Sequence, residues 1–204
     1  MDQLVRLAES LFAIAQNGLT YTENVFDIER YHQIQDIAAS IMAKKSTLPL
    51  DKIKDLFTQA TGYATPKLDV RGAVFKDNTI LLVKERADSL WTMPGGWVDV
   101  GESPSEAVCK EIREESGFEA RAIKLMAVYD KYKHPHPQGL PHLYKLFFIC
   151  EITGGEKKTS IETSDVAFFD KDNIPELSLP RVLSSQIARA FEHKANMSLA
   201  TDFD

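Results

Sequence analysis

Cysteine is scarce in this chain, and long apolar runs are missing. Only Cys109 and Cys150 occur among 204 residues, and they form neither a C-x-x-C redox pair nor a zinc-type spacing. A disulfide-stapled scaffold is excluded. The two thiols fall in helix-like and strand-like segments and read as small buried hydrophobes. No stretch approaches the roughly 18 to 20 apolar residues that cross a bilayer. The opening MDQLVRLAESLF mixes charges into its apolar positions instead of presenting a signal-peptide core. Neither a membrane span nor a secretory leader is expected, and the chain reads as cytoplasmic. Lys and Arg, 24 in all against 30 Asp and Glu, form no long block and leave a formal net charge of −6. A long nucleic acid, held largely through its phosphates, would find little on such a surface.

What is present is the composition of a folded globular chain, 44% hydrophobic and 26% charged. Three stretches carry apolar residues at helical spacing: Leu4, Leu7, Leu11 and Phe12; Phe26, Ile34, Ile37, Ile41 and Met42; Ile53, Leu56, Phe57 and Ala60. They predict a small all-helical domain over residues 1–62, stopped at Gly62 and followed by a proline-containing linker at 63–67. From residue 68 to 204 the pattern turns to strands. Residues 68–75 and 79–85 predict a hairpin around Lys76–Asn78. Residues 119–132, 142–152 and 165–170 predict further strands, with a turn at Gly154-Gly155. Residues 181–194 have helical periodicity, and 195–204 read as a frayed tail. The expected architecture is a helical domain followed by a mixed α/β domain.

Between them lies GWVDVGESPSEAVCKEIREESGF, residues 96–118, with five glutamates. Ser103, Pro104 and Glu106 have the form of a helix start with a capping box, and Gly117 marks the stop. On the helix between, Glu111, Glu114 and Glu115 are spaced i, i+3 and i+4, which puts all three carboxylates on one face. Val108 and Ile112 lie beside that stripe as core anchors. Like charges at such spacing cost a few tenths of a kcal/mol each, so a neutralising partner is expected. Lysines or a hard divalent cation would both serve, and glutamate oxygens suit Mg²⁺ or Mn²⁺. Pro94-Gly95-Gly96 upstream permits a tight turn beside a ligand.

The segment resembles the Nudix box, G-x5-E-x7-R-E-U-x-E-E-x-G-U with U apolar, through Gly96, Glu102, Glu111, Ile112, Glu114, Glu115, Gly117 and Phe118. Lys110 stands where that family has arginine, keeping the charge without the planar bidentate fork. With its helical N-terminal segment the whole chain resembles a bacterial subgroup of hydrolases acting on X-linked nucleoside diphosphates, among them proteins named ADP-ribose pyrophosphatase and enzymes acting on CDP-choline. The resemblance implies an α/β/α sandwich with a mixed sheet, Mg²⁺ or Mn²⁺ as cofactor, and hydrolysis of a P–O–P bond in a nucleoside diphosphate derivative. It implies Glu111, Glu114 and Glu115 as metal ligands, Glu102 as a supporting ligand and the Gly96 backbone as a further one. Glu162 is the candidate general base, with Asp165 its competitor. Arg71 and the Lys84–Arg86 stretch, Arg86 above all, are candidates for phosphate contact. Trp91, Trp97, Tyr129 and Tyr132 are candidates for stacking on a base. His134, His136 and His142 sit in a proline-rich loop, read as a substrate-gating element contacting phosphate or ribose rather than as a zinc site. The helical domain is expected to dimerise the chain or cover the substrate. Two other readings remain: a nucleotide sensor without hydrolytic activity, and an enzyme that processes the end of a short RNA.

Overall fold

The chain divides into two compact units, one ending at Thr65 and the other beginning at Pro66. The computed structural model describes residues 3–44, 49–58, 61–137 and 141–204, without the side chains of 56–58. The expected apolar positions Leu56, Phe57 and Ala60 therefore lie outside the described residues. The first unit holds α1 (Gln3–Tyr21), α2 (Val25–Ala43) and α3 (Leu50–Thr58). Asn24 caps α2, its side-chain oxygen accepting from the Phe26 and Asp27 amides at 2.9 and 3.3 Å.

The helices of this unit meet through small side chains together with part of the expected stripes, Leu11, Phe12 and Ile41 packing half-buried against buried Met42 and Ile53. Ala8, Ala38 and Ala39 are buried together with Met42 and Ile53, whereas Leu7, Phe26 and Ile37 are 50%, 65% and 55% exposed. The reason is close approach. Gly18 lies under the Tyr31 ring, where a Cβ would stand 2.2 Å from Cζ. Helices brought close at alanine and glycine leave Leu7, Phe26 and Ile37 outside the contact.

In the second unit the elements run β1 (Lys67–Lys76), β2 (Thr79–Glu85), β3 (Trp91–Thr92), α4 (Pro104–Ser116), β4 (Phe118–Asp130), β5 (Leu143–Gly155), β6 (Thr163–Asp170), α5 (Ser184–Ala195) and β7 (Asp202–Phe203). The sheet is mixed. β1 runs parallel to β5 from Lys67↔Leu143 to Val74↔Cys150, and β4 lies antiparallel on the far side of β5. The β1–β2 hairpin forms as expected, with Asp77 at φ 54° in its turn. Past Phe75↔Ile80, β2 leaves β1 and pairs with β3 and β6. The freed edge of β1 is taken by residues 94–98: the Gly72 amide donates to Pro94 O at 2.8 Å, the Val70 amide to Gly96 O at 2.9 Å and the Val98 amide to Leu68 O at 3.2 Å. That divergence opens the sheet beside α4.

Alternation along β1 supplies both faces of the sheet. Val70 and Val74 pack with Val108 and Ile112 of α4, while Ala73 and Phe75 face a second core completed by Ile187 and Ala190 of α5. The result is the expected helix–sheet–helix sandwich. Gly154-Gly155 is not a turn. β5 continues to Gly155, which pairs with Phe118 and lies so close to Gly117 O that a Cβ would stand 2.4 Å away. Among the described residues no helix is long and apolar enough to cross a membrane.

The C-terminal residues, expected to fray, are docked. β7 pairs in parallel with β4 through Ala127↔Asp202 and Val128↔Phe203. The Lys124 ammonium donates to Met197 O and Leu199 O at 3.0 and 2.6 Å, and the Asp130 amide donates to Asp204 Oδ2 at 2.6 Å. The Asp202 carboxylate takes Arg189 bidentately and also the Tyr129 hydroxyl at 3.1 Å, with the fully buried His193 ring 3.3 Å away. Hydropathy cannot register such polar anchors, which is why the tail looked free. We expect Asp202→Ala to lose about 1–3 kcal/mol of stability in urea unfolding, since it strands buried partners. A loss under about 0.5 kcal/mol, the size of an ordinary surface change, would show that these bonds do not hold the tail.

Candidate active site

The site is built on α4, and the sequence dictates its start and stop. The Ser103 hydroxyl accepts from the Glu106 amide at 3.3 Å while Glu106 Oε2 accepts from the Ser103 amide at 2.9 Å, with Pro104 opening the helix and Gly117 closing it at φ 79°. Ala107, Val108 and Ile112 are fully buried and fix its rotation. Gly72 of β1 lies directly beneath, where a Cβ would stand 2.7 Å from Ile112 Cδ1. The double glycine is required by the same closeness. Gly95 adopts φ +147° with room for no Cβ, which would meet Val70 O at 1.9 Å, and a Cβ on Gly96 would press on the Glu111 carboxylate at 3.0 Å. The backbone thereby reaches the helix, and the Gly95 amide donates to Glu115 Oε2 at 2.9 Å.

The stripe that results grades from water to interior: Glu114 is exposed, Glu111 half-buried and Glu115 buried. It faces a cavity of about 650 Å³ lined also by Arg71, Glu85, Gly95, Gly96, Trp97, Asp99, Ser160, Ile161, Glu162 and Arg181. Six carboxylates thus share the lining with two guanidiniums, and both guanidiniums are already engaged. Arg71 is buried and bound to Asp69 through Nη2 at 2.7 Å and Nε at 3.1 Å, with Nη1 on Met93 O at 3.3 Å. Behind it, buried Lys145 donates to the same Asp69 at 2.6 Å. Arg181 meets Glu85 at 3.2 Å and Asp88 at 2.9 Å.

Electrostatics follow from that imbalance. Burial, and then the Glu114 charge, push the Glu111 carboxyl up to about 7. Burial pushes Glu115 up to about 8, against the opposing pull of Arg71 and the Gly95 amide. Burial and the neighbouring Arg71 charge bring the Lys145 ammonium down to about 8. For Asp69 burial acts the other way, but Arg71 and Lys145 together hold its carboxyl below the usual range.

Of the candidates read from the sequence, Arg71, Gly96, Trp97, Glu111, Glu114, Glu115 and Glu162 line this one cavity. The others lie elsewhere. Glu102 is paired with Lys110 at 2.9 Å, and Lys110 also holds Asp99 at 2.8 Å, so the lysine clamps the loop onto α4. Arg86 Nε donates to Ser160 O at 3.3 Å, and Asp165 is paired with Lys157 at 2.9 Å. Trp91 packs edge-on against Phe169. Tyr129 is bonded to Asp202, and His134, His136 and His142 are spent on Asp204, on Leu179 O and Gln186, and on Asp130. The loop histidines thus tie the fold together, and Gln138–Leu140 of that loop lie outside the described residues. Glu85, Asp99, Ile161 and Arg181 were missed; only Glu85, ending an apolar strand, carried any local signal.

Among the described residues no three acidic, histidine or cysteine side chains are drawn together into a finished ligand shell. The donors gathered in the cavity are nevertheless carboxylate oxygens with excess negative charge, which is the chemistry a hard divalent cation requires.

Residues 65–189 match the NUDIX domain family, and residues 2–57 match a family described as the UDP-X-like, N-terminal oligomerisation domain. A Bacillus subtilis (strain 168) protein, YjhB, provisionally described as an ADP-ribose pyrophosphatase, is 45% identical over 97% of this chain and 95% of its own. An ADP-ribose pyrophosphatase of Methanocaldococcus jannaschii is 33% identical over 69% of this chain and 83% of its own. Among solved structures, a UDP-X diphosphatase covers 98% of both chains at 31% identity and a TM-score of 0.64. An ADP-ribose pyrophosphatase from Streptococcus suis 89-1591 covers 69% of this chain and 100% of its own at 39% identity and a TM-score of 0.63. With the box on α4, the sandwich around it and these relatives in agreement, the chain belongs to the Nudix family and is a Nudix hydrolase carrying an N-terminal domain of the oligomerisation type.

Proposed function

We propose that the protein is a Mg²⁺-dependent pyrophosphohydrolase of the cytoplasm that splits the P–O–P bond of a nucleoside diphosphate linked to a second group X, giving a nucleoside monophosphate and phospho-X. The observation that carries this reading is the excess of carboxylates in a cavity whose two arginines are already paired. A bare diphosphate would be repelled there, whereas one arriving with cations would be neutralised. Relatives named for ADP-ribose and UDP-X support the substrate class. ADP-ribose and CDP-choline are the substrates to test first.

In this reading Glu111, Glu114 and Glu115 would hold Mg²⁺, or Mn²⁺ in its place, with the second lone pair of the Gly96 carbonyl available as a further donor. A cation bound there supplies charge neutralisation for the phosphoryl oxygens and lowers the pKa of its own water. Lys110 holds Glu102 and Asp99 beside the stripe as support. Glu162 takes the proton from the attacking water, from a loop anchored by the bond of the Thr163 hydroxyl to Glu115 O at 2.8 Å. In this reading Arg181, partly exposed at the wall beside Glu85 and Asp88, would meet an oxygen of the internal diphosphate. Exposed Leu7, Ile14, Phe26 and Ile37 on the N-terminal helices support a homodimer formed through that domain.

The direct test is to incubate the protein with a panel of nucleoside diphosphate derivatives and a short RNA, with and without Mg²⁺, and to identify products. Cleavage of the diphosphate derivatives only with Mg²⁺ is expected. Release of nothing would favour a nucleotide sensor, and cleavage of the RNA alone an end-processing enzyme. Glu114→Gln and Glu115→Gln should each keep the fold and lower kcat by at least about a hundredfold; near-normal turnover in both would remove them from the chemistry.

A stability measurement checks the charge argument without turnover. Glu111 and Glu115 have pKa values raised to about 7 and about 8, so the folded state binds more protons than the unfolded chain. Their stabilising contribution is full below the unfolded values and is lost as pH rises through 7 and 8. Mg²⁺ should therefore raise Tm more at about pH 8 than at about pH 6, because its ligands must be deprotonated to bind. An equal shift at both values would mean that Mg²⁺ binds elsewhere.

A further inference from the structure

Strand β1 brings three charges together out of water. Asp69 and Arg71, two residues apart, share a face of β1, and Lys145 of β5 stands directly across from Asp69 in the parallel register. The three are 4%, 5% and 1% exposed. Asp69 Oδ2 accepts from Arg71 Nη2 at 2.7 Å, while its Oδ1 is shared, accepting from Arg71 Nε at 3.1 Å and from Lys145 Nζ at 2.6 Å. Arg71 Nη1 donates to Met93 O at 3.3 Å. One N–H on each Nη is then left without a bond among the described residues.

One carboxylate is enough to neutralise one arginine, and the bidentate fork of Arg71 on Asp69 already does so. The ammonium of Lys145 is therefore surplus: two cations face one anion where burial disfavours any uncompensated charge. Lys131 stands on the positive side as well, its charge among those that bring the Lys145 ammonium down to about 8, after burial itself and Arg71. Arg71 carries the unspent charge to the cavity, which it lines and where the Glu115 and Glu85 carboxylates bear on it.

We propose that Lys145 is a positioning residue which, by sharing Asp69, leaves Arg71 as a fixed net-positive counter-charge beside the carboxylates of α4, so that the site favours a diphosphate arriving with its cations over a bare cation. The proposal rests on the nucleotide hydrolase reading. A buried positive charge there weakens the hold on Mg²⁺ or Mn²⁺ alone and strengthens the hold on phosphoryl oxygens, and away from water salt screens neither effect much. The two effects have opposite signs. A lysine that merely stiffened the sheet would act on both with the same sign.

Two variants remove the charge: Lys145→Met, which keeps an unbranched chain, and Lys145→Gln, which also keeps a hydrogen-bond donor for Asp69 and so protects the fold. Each full-length variant is compared with the native protein at about pH 7, where the Lys145 ammonium, with a pKa of about 8, is mostly charged. Calorimetry follows Mn²⁺ alone and then, at saturating Mn²⁺, methylenediphosphonate, a diphosphate analogue whose P–C–P bridge cannot be hydrolysed. Both variants should lower the Kd for Mn²⁺ by about threefold or more and raise that for methylenediphosphonate by about threefold or more. A divalent ion feels the lost charge twice while the proton it displaces from a glutamate feels it once, so the sign of the metal effect survives that exchange. Both affinities falling together, or either one unchanged in both variants, would overturn the counter-charge and leave the hydrolase reading intact. A native protein that binds Mn²⁺ but no methylenediphosphonate would overturn the hydrolase reading, and the counter-charge with it.

Discussion

Negative charge in excess of any protein partner is the constraint around which the second unit is arranged. Glu85, Asp99, Glu111, Glu114, Glu115 and Glu162 share one cavity with Arg71 and Arg181, and each arginine is already bound to an acid. In ordinary cores a buried carboxylate is paired or displaced. Here Glu115 is buried with, among the described residues, only a backbone amide as hydrogen-bond donor, and burial raises its proton affinity accordingly. In the reading proposed above, a bound cation would supply the missing partner.

The rest of the architecture can be traced from that requirement. α4 must lie near enough to β1 for the backbone at 95–96 to reach its carboxylates, so Gly72, Gly95 and Gly96 stand at the points of contact. The 94–98 segment has to occupy the edge of β1, which sends β2 away to pair with β6 and opens the cavity between them. Arg71 reaches that cavity from β1 with Asp69 and Lys145 sharing its burial, a three-membered charge set closed off from the surface. Lys110 is where this chain departs from the family pattern, yet it still bridges two loop acids. A single ammonium with three donors can do that without the planar fork of arginine.

The parts legible in the sequence were the local ones. The capping box, proline and terminal glycine specify α4 within thirteen residues, and i, i+3, i+4 spacing then places three glutamates together without any tertiary information. The β1–β2 hairpin was legible for the same reason. What was not legible depends on partners distant along the chain: Arg181 meets Glu85 and Asp88 from more than ninety residues away, and nothing about an isolated arginine announces it. The tail looked unstructured because Asp202 is held by Arg189, Tyr129 and His193, contacts that no apolar pattern encodes. The histidines of the 131–142 loop, suggestive of ligand binding by type, are spent on neighbouring acids and carbonyls. In the N-terminal unit Leu11, Phe12, Ile41, Met42 and Ile53 of the expected stripes pack, but Ala8, Ala38 and Ala39 share that core, since helix contact distance, invisible to periodicity, admits small residues there.

The central claim is that cations sit among the carboxylates of α4, and anomalous diffraction from crystals soaked in Mn²⁺ tests it most directly. The account requires a strong anomalous peak within coordinating distance of Glu111, Glu114 and Glu115. A map empty at that face, with the same carboxylates tied instead to lysine or arginine side chains, would contradict it.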